Sequence, residues 1–144
     1  MALSATRGVP LAGFVVTDIW FSGHIRVIAS KPSGRGGNPL QAKIWFGGPL
    51  TFRDESGRVH DLEAGGAWEF LIALFELRHQ VIESAVADEA SQIQICFELG
   101  QFLAAETHPQ DENWGLLGPD GLNLVGMPAG WAHQVDRPAL RSSN

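Results

Sequence analysis

A chain of 144 residues has the length of one ordinary domain, with enough residues for a real core. Hydrophobic residues at 44% and charged residues at 18% place it among globular rather than disordered chains. Ten Lys and Arg against sixteen Asp and Glu give a net charge of -6, which argues against nucleic acid as a partner, and the single cysteine excludes a disulfide framework or a four-cysteine zinc site.

The first nine residues hold one charge, Arg7, and no apolar run of signal-peptide length. No stretch approaches the roughly 18–20 apolar residues that span a bilayer. A cytoplasmic protein with no membrane partner is therefore expected.

Gly13 to Phe21 is β-branched and aromatic, which suits a strand. Strict alternation puts Val15, Thr17, Ile19 and Phe21 on one face and Phe14, Val16, Asp18 and Trp20 on the other. Ser22-Gly23 is a two-residue turn signal, and His24 to Ser30 alternates again, so a hairpin is expected. Residues 31–39 form a Gly/Pro-rich loop. Strands resume at 42–46 and 50–53, and Asp54-Glu55-Ser56-Gly57 turns the chain into 58–62.

Ala67 to Leu77 favours helix, with apolar residues nearly all the way round and only Glu69 and Glu76 interrupting. Such a helix is expected to be buried on most sides, against a sheet or at an interface. His79 to Ala87 then reads as a strand, and Ile93, Ile95 and Phe97 alternate with Gln92, Gln94, Cys96 and Glu98 in the next. Strands follow at 101–105, 114–117 and 122–126, with a polar loop at 106–113, a short last strand within 128–135 and a frayed tail at 136–144.

The two halves resemble each other. Leu11-Ala-Gly-Phe-Val-Val aligns with Leu77-Arg-His-Gln-Val-Ile, Ile25-Arg-Val-Ile with Ile93-Gln-Ile-Cys, and Trp45…Gly48-Pro49 with Trp114…Gly118-Pro119. One β unit alone would leave an open apolar face, which a second can cover. The expected fold is mainly β (α+β at the margin). It is one domain over 1–144, with two similar antiparallel units at about 11–62 and 79–135. They form a sandwich or partly open barrel, linked by one short apolar helix at about 66–77. The hairpins at 13–30 and 79–98 are expected to superpose.

The same residues carry a resemblance: Gly-x-x-Val-Thr opening the first hairpin, a middle Gly-Pro with Asp-x-x-Gly after it, the short apolar helix, and Trp114-x-x-x-Gly-Pro-Asp-Gly121. From about Leu11 to Val135 the chain resembles a family of small bacterial proteins catalogued only as a domain of unknown function. That family brings no established activity and no catalytic residues to carry over.

No constellation of side chains amounts to a catalytic motif. Asp61 follows His60 directly, but strand neighbours point to opposite faces. His108, Asp111 and Glu112 share a polar loop without an accepted metal-ligand spacing, so no metal and no cofactor are expected. Cys96 has no identifiable activating base. Gly34-Arg-Gly-Gly37 lacks the strand-to-helix setting of a phosphate loop.

The features left are acidic turns and five tryptophans. The candidate partner-binding residues are Asp54, Glu55, Asp88, Glu89 and Trp131, and the two acidic pairs fall on the same rim or on opposite ones. The expected function is a small acidic binding protein without catalytic activity, with an immunity protein that neutralises a basic toxin as the particular form. The alternatives are a small-molecule binder or small enzyme using a β-barrel cavity, and a homodimer of structural role.

Overall fold

The β-branched and aromatic segments pair as the alternation requires in a computed structural model of the chain, whose described residues are 6–21, 24–34, 36–62, 67–88, 92–105, 114–127 and 130–133. Side chains are described for these except at 6–7, 67, 120, 127 and 130–133. The polar loop 106–113, the tail 136–144, Glu89, and the turn residues Ser22 and Gly23 lie outside them.

The strands are β1 (Thr6–Gly8), β2 (Val15–Phe21), β3 (Ile25–Lys31), β4 (Leu40–Phe46), β5 (Leu50–Arg53) and β6 (Val59–Asp61). Helix α1 (Ala67–Leu74) continues as a 3₁₀ turn (Phe75–Leu77). Then come β7 (Ile82–Asp88), β8 (Ile93–Phe97), β9 (Phe102–Ala105), β10 (Trp114–Leu117), β11 (Asn123–Met127) and β12 (Gly130–His133). They build two antiparallel sheets, in the orders β1-β7-β8-β9-β5-β6 and β12-β11-β10-β4-β3-β2. Neither closes into a barrel, and the mainly β fold of two antiparallel sheets with one short helix is the expected class.

Inward positions make one contiguous core. Across the first sheet run Ala85, Ile95, Leu103 and Phe52; across the second run Val27, Ile44, Leu116 and Leu124. All are buried. Most of their stabilisation is apolar area removed from water, at about 25 cal/mol per Å².

The first hairpin departs from strict alternation. Val16 pairs with Ala29 and Asp18 with Ile28, so Thr17 is the extra residue of a β-bulge. Its hydroxyl donates to the Ile28 carbonyl at 3.2 Å. The bulge transfers the inward face from Phe14 and Val16 to Ile19, which pairs with Val27. The face assignment drawn from alternation therefore holds only up to Val16.

The second hairpin repeats the device. Ile82 pairs with Phe97 and Ser84 with Cys96, leaving Glu83 as the bulged residue, 66 positions after Thr17. The entries match as well. Gly13 (φ 88°) and His79 (φ 72°) are also 66 apart, and His79 is the one non-glycine with positive φ among the described residues. Arg78 and His79 thus form a turn, Val81 makes an isolated bridge, and the strand starts at Ile82 rather than at His79. Four hydrogen bonds join the entries: Gly13 N–H to Ile82 O (2.8 Å), His79 N–H to Val16 O (2.7 Å), Ile82 N–H to Phe14 O (2.8 Å) and Val16 N–H to Gln80 O (3.0 Å). Exchanging the two segments maps this set onto itself, with the Val15–Val81 bridge at its centre.

The third strand of each unit completes the pattern by exchange. The β5–β6 hairpin follows β4 in sequence yet pairs with β9. The β10–β11 hairpin follows β9 yet pairs with β4. Both connections are alike: Asp54 N–H donates to Arg58 O and Gly118 N–H to Leu122 O, each at 2.9 Å, with Gly57 and Gly121 at positive φ.

Candidate functional site

Helix α1 and its 3₁₀ extension link the halves. Phe70, Leu71, Leu74 and Leu77 enter the core. Trp68, Ile72 and Phe75, at spacings of four and three, stand on the opposite face at 77%, 68% and 49% exposure. The expectation of a helix buried on most sides is corrected here. One stripe is buried, and a second apolar stripe stands in solvent. From side chains of roughly 150–250 Å² each, the ridge exposes on the order of 400 Å² of apolar surface. That matches the largest patch of a typical monomer, which is often functional.

Carboxylates flank the ridge. Glu69 and Glu76 lie on the same element, whose helix carries no basic residue in its last turn. The β5–β6 turn approaches from the side. Glu76 Oε2 accepts the Glu55 backbone N–H at 2.8 Å and the Gln101 side-chain amide at 3.2 Å. Gln101 is 1% exposed, and its own carbonyl oxygen, Oε1, is buried without a hydrogen-bond partner. An unmet buried acceptor costs about 1–3 kcal/mol.

The candidate residues separate. Antiparallel pairing runs β7, β8, β9, β5 in alternating directions, so the turns after β7 and after β5 emerge at opposite ends of the sheet. Asp54 and Asp88 therefore occupy opposite rims. Each closes its own loop: Asp54 Oδ1 accepts the Arg58 N–H at 2.9 Å and Asp88 Oδ1 the Gln92 N–H at 3.0 Å. Glu55 is exposed beside the ridge. Glu89 lies outside the described residues. Trp131 sits in β12 with its backbone paired to Gly126, and its side chain is not among those described.

His60 has a partner that inspection of its neighbour Asp61 missed. Its Nε2 lies 2.9 Å from Asp54 Oδ2, and its ring stacks on Phe52 at 5.8 Å. The His60 hydrogen bond, then those from Ser56 and the Arg58 N–H, hold the Asp54 carboxyl well below the usual carboxylate range. The signal was the spacing of a hairpin: six residues bring a turn Asp opposite a strand His. The Ser56 hydroxyl donates to Asp54 Oδ1 at 2.7 Å, so this cluster closes a loop and offers no activated nucleophile.

Elsewhere, Trp45 lies over Gly115 and Trp114 over Gly126, each across a strand pair. Trp20 and Phe21 are exposed at the end of edge strand β2. Cys96 is half-buried on the outer face between Ser84 and Phe102. A shallow depression of about 200 Å³ on that face is lined by Thr51, Gln92, Gln94, Phe102, Ala104 and Ala105. It is smaller than the roughly 300–1,000 Å³ of small-molecule clefts. Among the described residues no His/Cys/Asp/Glu group is placed to hold a metal, and no helix is long and apolar enough to cross a membrane.

Fold and surface together define two antiparallel sheets with exchanged hairpins and one linking helix that is apolar on its buried and its solvent-facing stripe. The family model matching residues 8–135 is a family of unknown function (DUF6188), and the chain belongs to that family. No curated protein and no solved structure matches it.

Proposed function

We propose that this is a non-catalytic protein-binding module that docks a basic-rimmed partner on the apolar ridge of α1. The observation that carries this reading is the exposure of Trp68, Ile72 and Phe75 on one helix face, beside Glu55, Glu69 and Glu76. Trp is the residue type most enriched among energetic anchors of interfaces. A standard interface buries about 800 Å² per partner, so the ridge supplies about half and its flanks the rest.

Charge selects the partner. In a two-fold dimer through the ridge the same carboxylates would face each other. A basic partner does not meet that obstacle, and a basic toxin neutralised by this contact is one protein of that kind. Association should be steered by charge and slow with salt, since the Debye length falls from about 10 Å at 0.1 M to about 3 Å at 1 M.

The test is selection of a random peptide display library on the full chain, with counter-selection on Trp68→Asp. Trp68 is 77% exposed, so that variant keeps its fold, checked by its denaturation midpoint. Peptides that bind the natural chain and not the variant support the ridge. Selected peptides that bind both equally refute it.

A further inference from the structure

We infer that Glu76 is the specificity-determining residue of this surface, a carboxylate preset to receive an arginine or lysine of the partner, with Gln101 as its positioning residue. This rests on the docking reading above. The two oxygens of Glu76 have different roles. Oε2 is held by two donors from two other segments, the Glu55 N–H of the β5–β6 turn and the Gln101 amide before β9. Among the described residues none donates a hydrogen bond to Oε1, on a residue that is itself exposed. A long acidic side chain normally loses rotamer freedom when it binds a cation. Here the fold has removed that freedom in advance, next to Phe75 at the end of the ridge.

Gln101 supplies the independent observation. It is the one buried polar residue of the described core, and its Oε1 has no donor. Leucine at this position would fill similar space without stranding an acceptor. The amide's one side-chain hydrogen bond is to Glu76. A buried polar group left half-satisfied requires an explanation. Holding the Glu76 carboxylate in one orientation supplies it, because the Glu55 N–H alone would let the side chain rotate about a single contact. A cation docked on Oε1 would then meet a carboxylate already fixed, with Trp68, Ile72 and Phe75 beside it for the aliphatic or aromatic neighbours of that cation.

The peptides selected on the ridge serve as the probe. We expect them to carry Arg or Lys next to apolar residues. Titration calorimetry of one such peptide should show about ten-fold weaker binding to Glu76→Gln, the size of a lost charge-assisted hydrogen bond. Gln101→Leu is the decisive variant. It should leave the denaturation midpoint unchanged or raised, yet weaken the same peptide several-fold. Glu83→Gln, on the bulge of β7, should leave binding unchanged. Failure to obtain any peptide sensitive to Trp68→Asp refutes the docking reading itself. Ridge-dependent peptides without Arg or Lys, or with affinity indifferent to Glu76→Gln, overturn the role of Glu76 and leave the ridge standing. A Gln101→Leu chain that is less stable but binds normally overturns the positioning role.

Discussion

A single methyl group at Gly126 should be among the most damaging substitutions in this chain. Gly126 faces Trp114 across the β10–β11 pair. A Cβ there would sit 2.6 Å from Trp114 Cε2 and 2.7 Å from Cδ1, and nearer still to Nε1, whereas ordinary contact begins at 3.4 Å. Something must move by about 1 Å, a displacement at which steep repulsion takes over. Trp114 cannot yield easily, because it is fully buried. Overpacking a fixed core costs about 1–3 kcal/mol, and this site belongs at the upper end. Gly115 offers the control. Its Cβ would overlap Trp45, but that indole is half-buried on the outer face and can swing towards solvent. Gly115→Ala should cost about 1 kcal/mol. Urea denaturation of both variants gives the comparison, with Gly126→Ala losing about 3 kcal/mol, a fall in Tm on the order of 10 °C. In a Trp114→Leu background the Gly126→Ala penalty should shrink by more than 1 kcal/mol, as expected of groups in contact. A Gly126→Ala chain as stable as the natural one, or additive with Trp114→Leu, would falsify the packing argument.

Other expectations follow from the same geometry. The Asp54 carboxyl is held below its unfolded value of 3.8, so its contribution to stability is complete above about pH 5 and is lost as pH falls towards the folded value. Asp54→Asn should flatten the acid limb of a urea-midpoint profile between about pH 5 and pH 2.5, and an unchanged limb would contradict it. Ile72→Ser should shift stability by no more than about 0.5 kcal/mol, against about 2–5 kcal/mol for buried Leu74→Ala, as read by chemical denaturation. At His79, whose φ is 72°, valine should cost roughly 1–2 kcal/mol while glycine stays within about 0.5 kcal/mol, and thermal melts giving the opposite order would exclude a required left-handed backbone.

The extended segments were legible because period-two patterning and turn residues report on local backbone. The shared left-handed backbone at Gly13 and His79 was not legible from residue type, since a glycine stands at one and a histidine at the other. Nor were the bulges. Thr17 and Glu83 interrupt strands whose residues alternate plausibly in either register, and only the pairing with Ala29 and Phe97 shows where the face changes. The exchange of hairpins was equally hidden, because a short alternating strand such as β5 fits beside β4 or β9 by pattern alone. The acidic turns were visible as charge, yet the loop-closing work of Asp54 and Asp88 depends on i to i+4 geometry that composition does not carry. The ridge was missed because Trp68, Ile72 and Phe75 read as core by type.

The crossed hairpins bear on how the chain is made. During synthesis β4, at residues 40–46, emerges well before β10, its neighbour at 114–117. Until then one side of β4 is an open edge, the kind of surface on which strands of other chains pair. The β5–β6 hairpin waits in turn for β9, at 102–105. Neither half can finish its own sheet, so a ribosome paused between the two halves holds two unfinished edges at once. Closing such distant contacts is slow, and the interval is when aggregation competes. The short β5 and β6, of four and three residues, limit what a stray strand could grip during that wait.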